Sequence, residues 1–505
     1  MKKIILALIP LSYLVILLFQ KDLALFTDLG RHLKLGEIIV NCLCVPQTNF
    51  FSYTHPDFPI VNHEWLTEVI FYLTSAWFGL NGLLILKFIL IITSASLLYS
   101  IAVKKGSLFW VTIFSLLCIT VFSTRFSVLP ELFSYLFISL FIFLIERYKE
   151  TKNIKYLWIL PLIQLFWINM HIYFVIGIGI FGLFLIEEYI QHKKVNKKHL
   201  LVGFALVVAL LINPSFIKGA FLPFTVFNNY GFTVEENNSP FSVFSQTSTN
   251  TNIAYTLTLQ VLVFELLAAL FIFSLFIRTK WKELFHFGNH LFGFLIAAKF
   301  MRCISLLGLL GFIPLVQTFS EWEKRNKDSV EETTANMIKG IIVIFVGIIV
   351  FIHIKGLIEY NILSFSFENP SAKATTFIKD NDVKGPIFNN YRIGNYLIYS
   401  LYPEKVFVDA RPEAYPATFF NEYWRMMEDE QFFNQQVEKY NINTVVFNVD
   451  DDPVKIRPFL SRLIYHKDWV PVYGDGQVTI VVRNNEVNKP VIDKFKIVLP
   501  DKQPN

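Results

Sequence analysis

The densest polar segment of the chain lies between its first two long apolar runs, at residues 20–64. It carries Asp28 near its start and ends on His63 and Glu64. A carboxylate within hydrogen-bond distance of a hydroxyl or amide can take up its proton as that group attacks a second molecule. We therefore predict that Asp28 is a general base. In the alternative, Asp28 caps the helix that follows it.

His63 and Glu64 complete the predicted catalytic group at the far end of this segment. They could orient the acceptor, or share a divalent metal with Asp28, because imidazole and carboxylate groups are common metal ligands. Three scattered ligands do not form a compact metal motif, and Asn62 with Glu64 could instead cap the next helix. The sequence thus predicts no certain cofactor and leaves a divalent metal open.

Four cations beside apolar runs are candidates for binding a phosphate group. Guanidinium groups suit bidentate contact with phosphate oxygens, and a cation can stabilise the charge on a phosphate as it departs. In the alternative, each side chain reaches towards lipid headgroups. These candidates are Arg31, Arg125, Lys299 and Arg302.

Asp409 and Arg411 follow a strand-like segment near the C-terminus, in the stretch VFVDARPEAY. Residues that follow the carboxyl ends of strands often line a ligand crevice in α/β sheets. We therefore predict that these two side chains bind the acceptor. In the alternative, contact between them fixes a loop.

Composition assigns the chain to the membrane proteins. Of its 505 residues, 54% are hydrophobic and 17% are charged, which is too apolar for a soluble globular protein. The net charge of +5 is spread over separate loops and forms no single basic face. Such a distribution predicts no nucleic-acid partner.

The four cysteines form no recognisable framework in the sequence. Cys42 and Cys44 are separated by one residue, and Cys118 and Cys303 lie in or beside apolar runs. We therefore predict neither a disulfide nor a metal site from them.

Eleven apolar runs predict about eleven transmembrane helices, although several are shorter than the roughly 20 residues that a span needs. The first run follows two lysines without a cleavage site, which predicts an uncleaved helix with a cytoplasmic N-terminus. Residues 65–80 carry Glu68 and end near Gly79, so we predict an interfacial helix there. The runs are 4–19, 83–103, 108–122, 132–145, 156–168, 172–186, 200–212, 255–277, 291–298, 303–319 and 341–354.

Lysine and arginine clusters fall in alternate loops, and this bias predicts the orientation of the chain in the membrane. The clusters at residues 104–105, 147–155 and 193–198 are assigned to the cytoplasm, whereas residues 20–64 and the C-terminal part lie outside. We predict a multi-pass protein of the bacterial inner membrane, with its N-terminus inside.

The C-terminal part, residues 361–505, alternates helix-like and strand-like segments. This pattern predicts a small extracytoplasmic α/β domain with a mostly parallel sheet and a final hairpin at Gly474 to Gly476. A strand is expected at 405–409 and one long helix at 417–440. No glycine-rich phosphate loop follows a strand, so we do not expect nucleotide binding. Residues 1–358 then form the transmembrane domain.

A long first outer loop with Asp28 soon after the first helix, short juxtamembrane helices and a soluble C-terminal domain together resemble the GT-C superfamily. These membrane glycosyltransferases include protein O-mannosyltransferases, aminoarabinose transferases and oligosaccharyltransferases. The resemblance covers residues 1–358. It implies an enzyme of the cell envelope that moves a sugar from a polyprenyl-phosphate donor to a protein, lipid or polysaccharide acceptor.

Two other functions stay open. One is a transporter or flippase of a lipid-linked glycan, and the other is a GT-C-like scaffold without catalysis. Transporters tend to show internal repeats and charges near the membrane midplane, whereas here the charges cluster at one interface. The expected partners are the lipid-linked donor, a protein or glycan acceptor and membrane lipid.

Overall fold

The computed structural model describes residues 2–226, 231–232, 234–245, 251–279 and 283–498 of the chain, and most of them are helical. The α-helices, in chain order, are α1 (Lys2–Leu18), α2 (Gly30–Cys42), α3 (Trp65–Lys105), α4 (Leu108–Phe122), α5 (Glu131–Thr151), α6 (Lys155–Trp158), α7 (Leu160–Ile168), α8 (Phe174–His192), α9 (Lys197–Ala209), α10 (Phe216–Thr225), α11 (Thr251–Ile277), α12 (Leu284–Lys299), α13 (Ile304–Arg325), α14 (Glu332–Glu359), α15 (Ala372–Asp380), α16 (Ile393–Leu401), α17 (Phe419–Glu428), α18 (Glu430–Tyr440), α19 (Pro453–Ile464) and α20 (Lys489–Phe495).

Ten of the eleven apolar runs each fall on one helix, and the run 156–168 falls on the two helices α6 and α7. Within the described residues, six helical segments are long and apolar enough to cross a membrane, and α1 and the α6–α7 pair are shorter apolar segments. The total of about eleven crossings stays a prediction. The six segments are Trp65–Lys105, Leu108–Arg125, Phe174–His192, Leu257–Ile277, Met301–Arg325 and Glu332–Glu359.

Helix α3 is interrupted at Gly79, where the backbone adopts φ 67° and ψ −178°. Residues with a Cβ atom rarely adopt such a positive φ, whereas glycine does so readily. The break separates residues 65–78 from residues 80–105, at the position where the sequence predicts the end of an interfacial helix. The interfacial placement itself stays a prediction.

The chain divides into two compact units. The helical unit contains residues 1–21, 81–220 and 233–366, and the mixed unit contains residues 22–80, 221–232 and 367–505. The polar segment after α1 therefore groups with the C-terminal region.

Buried polar groups tie helices together in the helical unit. The Tyr13 hydroxyl on α1 lies 2.8 Å from Thr120 Oγ1 on α4 and 2.7 Å from His353 Nδ1 on α14. Buried polar groups need such partners, because leaving one unpaired costs about 1–3 kcal/mol. Helix α13 packs against α4 and α12 and is buried along most of its length.

The mixed unit contains a four-stranded sheet made of β1 (Ile387–Asn389), β2 (Thr444–Asn448), β3 (Trp469–Gly474) and β4 (Val478–Arg483). The strand order is β1-β2-β4-β3; β1 and β2 are parallel, and the other two pairings are antiparallel. The prediction of a mostly parallel sheet is therefore wrong. The final hairpin, β3 and β4, is confirmed. It also explains the error, because β4 turns back and pairs antiparallel with both β3 and β2.

Two predicted elements of the C-terminal region differ from the structure. Residues 405–409, all of which the structure describes, form no strand, and Val406 makes only isolated bridges to Ser52 and Ile387. The predicted helix 417–440 is two helices, α17 and α18. Asp429 separates them because its backbone is extended, and its side chain caps α18 by accepting a hydrogen bond from the amide of Phe432.

An aromatic core holds the mixed unit together, with buried rings that include Phe388, Phe407 and Tyr423. The polar segment after α2 attaches to this core. The amide of Tyr53 donates to the carbonyl of Val406, and its ring lies 5.8 Å from that of Phe407. A segment that looks like a free loop in sequence is thus part of the folded unit.

A disulfide joins Cys42 and Cys44 at the end of α2, which corrects the prediction that the cysteines form none. The intervening Leu43 has φ 52° and ψ 36°, in the left-handed region, and this turn brings the flanking side chains to the same side. Cys118 and Cys303 are buried and unpaired.

Candidate active site

Asp28 lies in a single π-helical turn, Leu25–Leu29, which leads into α2. Its side chain is half-buried, and Oδ1 accepts a hydrogen bond of 2.9 Å from Asn395 Nδ2 on α16. Among the residues that the structure describes, none donates a hydrogen bond to Asp28 Oδ2. Leu29 occupies the N-cap position of α2 and makes no capping hydrogen bond, so the alternative role of Asp28 as a helix cap finds no support.

A close approach of α2 to the first part of α3 builds the rest of the site. A Cβ atom at Gly36 would lie 2.0 Å from the carbonyl oxygen of Glu68, so only glycine fits there. One turn earlier on α2, His32 faces the side chain of Glu68, with 3.0 Å between Nδ1 and Oε1. The glycine therefore brings a histidine against a carboxylate.

His32 is held between a cation and an anion. Its Nε2 lies 3.2 Å from a terminal nitrogen of Arg31, and the same guanidinium lies 3.7 Å from Glu68 Oε1. A guanidinium can only donate, so Nε2 accepts and Nδ1 donates its proton to Glu68. Burial, aided by the charge of Arg31, lowers the pKa of His32 to about 3. The imidazole is therefore neutral at physiological pH.

Glu64 lies next to both histidines of the segment. Its carboxylate oxygens are 3.8 Å from His32 Nε2 and 3.6 Å from His63 Nε2. Burial raises the pKa of Glu64, although the charges of His32 and Arg31 oppose the shift. Asn62 links the two glutamates: its side-chain oxygen accepts a hydrogen bond from the amide of Glu64, and its side-chain nitrogen donates to Glu68 Oε2 at 2.6 Å. The amide of Glu64 precedes α3, so this contact of Asn62 is a local turn, and the capping of α3 by Asn62 stays an alternative.

His63, the third residue of the predicted catalytic group, lies beside a further carboxylate. Burial lowers the pKa of His63, and the nearby Glu413 opposes this shift. Burial also raises the pKa of Glu413, against the charges of Arg411 and Arg31. The site therefore holds carboxyl groups that take up protons more readily than a solvent-exposed glutamate.

The charge of Asp28 acts on the same cluster. Its carboxylate opposes the lowering of the pKa of His32 and contributes to the raised pKa of Glu64. The Nε atom of Arg31 is buried and has no hydrogen-bond partner within the described part of the chain. The structure thus brings together Asp28, Arg31, His63 and Glu64 of the predicted site.

Three side chains of this cluster could hold a metal ion, and they differ from the predicted set. Ligand atoms of His32, Glu64 and Glu68 all lie within 4.8 Å of one another. Arg31 already donates to His32 Nε2 and lies beside Glu68. A metal ligated through Nε2 would therefore have to displace the guanidinium.

Asp409 and Arg411 form a buried pair in the mixed unit. Arg411 donates to both oxygens of Asp409, at 2.8 and 2.7 Å, and also to Asn49 Oδ1 at 2.7 Å. The hydroxyl of Tyr415 donates to Asp409 Oδ2. These contacts fit the alternative in which the pair fixes a loop. Direct contact with an acceptor stays a prediction.

The remaining phosphate candidates belong to the helical unit. Arg125 and Arg302 both donate to Glu236 Oε2, at 3.0 and 3.1 Å, and Arg125 also pairs with Glu131 at 2.7 Å. The side chain of Glu236 is 47% exposed. Lys299 lies over the ring of Phe300. Two of the three cations thus meet at one accessible carboxylate.

The predicted site omits three residues that the structure places in it. Glu68 follows Glu64 by four residues, and this spacing puts both on one helical face, so periodicity could have identified it. His32 follows directly after the candidate Arg31. Asn395 carries no local signal, because its role depends on contact with a residue 367 positions away.

Comparisons with known proteins relate this geometry to a fold. No protein-family model matches the chain, and no curated protein matches it. Several solved structures are similar. One is the archaeal oligosaccharyltransferase AglB from Archaeoglobus fulgidus in complex with an inhibitory peptide and a dolichol-phosphate, with a TM-score of 0.59 at 12% identity over 95% of this chain and 74% of that chain. Another is apo ArnT from Cupriavidus metallidurans, with a TM-score of 0.53 at 9% identity over 95% and 97% of the two chains. ArnT bound to undecaprenyl phosphate is also similar, with a TM-score of 0.50 at 8% identity over 95% and 97% of the two chains.

AglB and ArnT are both GT-C superfamily membrane glycosyltransferases. At these identities the likeness shows the fold, so the predicted GT-C resemblance is confirmed at that level. With its apolar helices, the chain is a multi-pass membrane protein with a small C-terminal sheet.

Proposed function

We propose that the chain is a membrane glycosyltransferase that moves a sugar from a polyprenyl-phosphate donor to an acceptor outside the cytoplasm. The observation that carries this proposal is the buried group of Arg31, His32, Glu64 and Glu68 beside the half-exposed Asp28, in a chain with the GT-C fold. The solved AglB and ArnT structures contain dolichol-phosphate and undecaprenyl phosphate, which supports a donor of this class.

In the proposed reaction, Asp28 accepts a proton from the hydroxyl or amide of the acceptor. Asn395 holds Oδ1, which leaves Oδ2 to face the incoming group. The acceptor atom forms its bond to the sugar C1 as the bond from C1 to the phosphate oxygen breaks. The electron pair of that bond leaves with the polyprenyl phosphate. A general base of this kind typically contributes about 10²–10⁴-fold to the rate.

The departing phosphate needs positive charge, and each unit, taken by itself, holds candidate cations for it. In the mixed unit, the buried Nε of Arg31 is an unused donor. In the helical unit, Arg125 and Arg302 share the exposed carboxylate of Glu236, which a phosphate could replace. We keep Lys299 as a further candidate phosphate contact, since it lies three residues before Arg302 in the sequence. Such preorganised donors stabilise charge as it develops.

The proposal does not depend on a metal. His32, Glu64 and Glu68 would hold a divalent cation, which would supply positive charge to the site. Arg31 already supplies such a charge to His32 and Glu68. The proposed reaction therefore involves only side chains of the protein.

The Cys42–Cys44 disulfide supports the proposed orientation, in which α2 and the following segment lie outside the cytoplasm. Disulfides persist in oxidising compartments such as the periplasm and are rare in the cytosol. Nucleotide sugars are absent from that side of the membrane, so a lipid-linked donor is the chemically consistent sugar source.

Mass spectrometry of envelope glycoproteins and lipid-linked sugars tests the proposal. A strain that lacks the chain is complemented with wild type, with Asp28→Asn or with Asp57→Asn at matched expression. Asp57 is an exposed acid in the same segment and serves as the control. We expect a glycan that is lost on deletion to be restored by wild type and Asp57→Asn only. Restoration by Asp28→Asn would contradict Asp28 as the base and favour a flippase or a scaffold.

A further inference from the structure

The mixed unit contains a cavity of about 430 Å³ that the proposed reaction does not use. Its volume falls within the roughly 300–1,000 Å³ typical of small-molecule sites. Side chains from α2, the first part of α3, α15 and α16 line it. They include Lys34, Tyr72, Thr376, Tyr396, Tyr399 and Ser400.

Two helices connect this cavity to the candidate active site. Helix α2 carries Arg31 in the site and Lys34 in the cavity wall, one turn further on. Helix α16 carries Asn395, which binds Asp28, and Tyr399 in the wall, again one turn away. The cavity wall therefore lies about 4.5 Å along α2 and about 6 Å along α16 from residues that contact the proposed catalytic group.

The lining combines aromatic rings with hydroxyl groups. The rings of Tyr396 and Tyr399 lie 6.0 Å apart with an interplanar angle of 37°. Thr376 and Ser400 also line the cavity, and their hydroxyls donate to carbonyls of their own helices, which leaves the oxygens as acceptors for a ligand. A sugar ring presents apolar C–H faces that pack on aromatic rings and hydroxyl edges that need hydrogen-bond partners, and this wall offers both.

The charges of the cavity favour a neutral ligand over an anion. Lys34 Nζ lies 2.5 Å from Glu37 Oε2, so its charge is neutralised inside the wall. Lys379 is exposed and contributes a single unmatched charge at the rim. A lipid tail would instead require a predominantly apolar lining.

We propose that this cavity binds a saccharide unit of the acceptor. This inference rests on the proposed glycosyltransferase function and narrows its acceptor to one that carries a sugar. Binding places the saccharide one helical turn along α16 from Asn395, the residue that holds Asp28.

Saturation-transfer NMR on the purified full-length chain tests the proposal with four free sugars: glucose, galactose, mannose and N-acetylglucosamine. Thr376→Trp fills the cavity from the exposed side of α15, and Lys373→Trp places the same ring on an exposed position of that helix outside the lining. We expect wild type and Lys373→Trp to transfer saturation to at least one sugar. Thr376→Trp should reduce that signal at least fivefold.

Several results would overturn the cavity proposal. One is the absence of a saturation-transfer signal with all four sugars, and another is an equal signal in wild type and Thr376→Trp. A third is phosphate binding in place of sugar binding: inorganic phosphate shows a broadened ³¹P resonance, Thr376→Trp abolishes the broadening, and no sugar gives a signal. The Asp28→Asn variant separates the two proposals, because it should still bind the sugar. If Asp28→Asn keeps full transfer in cells, the catalytic assignment fails although the binding result stands.

Discussion

The side-chain amide of Asn395 donates a hydrogen bond to the carboxylate of Asp28 across 2.9 Å, although 367 positions separate them in the chain. Asn395 is fully buried, and its own oxygen accepts from the amide of Ala410. The orientation of the proposed base is therefore fixed by the C-terminal region of the mixed unit.

Removing the amide of Asn395 should impair catalysis. Asn395→Leu has nearly the same size but cannot donate, and hydrogen bonds to charged groups are worth about 1.5–3 kcal/mol. We expect transfer to fall roughly tenfold or more, since 1.4 kcal/mol corresponds to a factor of ten. The control is Asn434→Leu, at an exposed position of α18. Equal activity of both variants in membranes, at equal protein levels, would contradict the role of Asn395.

The buried His32 should make the protein sensitive to acid. Its pKa is about 3 in the folded protein and near 6.5 in an unfolded chain, so the unfolded state binds a proton first as the pH falls. Stability is then lost progressively below pH 6.5, by at most about 1.4 kcal/mol for each pH unit. We expect His32→Gln to show a smaller fall in melting temperature between pH 7 and pH 5 than wild type. The exposed His192→Gln should behave like wild type, and a wild-type pH response in His32→Gln would refute this linkage.

Arg31 should keep metal ions out of the cluster. In Arg31→Ala, His32 Nε2 loses its donor, and Glu64 and Glu68 lose their neighbouring cation. We expect Zn²⁺ to raise the melting temperature of this variant by several degrees, because a ligand at a hundredfold excess over its Kd stabilises by about 2.7 kcal/mol. Wild type should not respond, and the same shift in wild type would show that Arg31 does not block the ion.

Glu236 should compete with the donor phosphate for Arg125 and Arg302. Glu236→Gln removes the negative charge that both guanidinium groups now contact. We expect the KM for the lipid-linked donor to fall several-fold in this variant, and to rise in Arg302→Ala. Steady-state kinetics in detergent measure the KM of both variants. The control is Glu332→Gln, at the start of α14. An unchanged KM in both variants would remove these arginines from the phosphate site.

The disulfide provides a test of orientation. In sealed vesicles with the outer face exposed, an impermeant maleimide should label the chain only after mild reduction, because Cys42 and Cys44 are paired and Cys118 and Cys303 are buried. The double variant Cys42→Ser/Cys44→Ser should remove this labelling. Labelling that appears only in inverted vesicles would place the segment in the cytoplasm.

Local patterns predicted the helices well. The apolar runs fall on helices, and α16 has the bounds expected from its sequence, because burial of an apolar face depends on periodicity within one segment. The break between α17 and α18 was missed, since a capping contact of Asp429 outweighs helix propensity there. The prediction of a mostly parallel sheet was wrong because strand propensity carries no information on the direction of pairing.

The site could be predicted in part. Asp28, Arg31, His63 and Glu64 belong to one polar segment of the sequence, and this segment lies in the mixed unit. Asn395 and the cavity could not be found, because they depend on packing of α2 against α16, which no local pattern encodes. The Cys42–Cys44 pair required a left-handed Leu43, a conformation that the residue type does not suggest.

Helix α16 carries Asn395 and Tyr399 on a rigid element four residues apart, which fixes their separation at about 6 Å along its axis. That length is comparable to one sugar unit. With a saccharide in the cavity, the attacking hydroxyl belongs to the bound unit or its immediate neighbour. The protein would then select a hydroxyl that lies within about one sugar unit of the bound saccharide. An insertion of one residue between Asn395 and Tyr399 would rotate one of these side chains by about 100° about the helix axis relative to the other, and would abolish this selection.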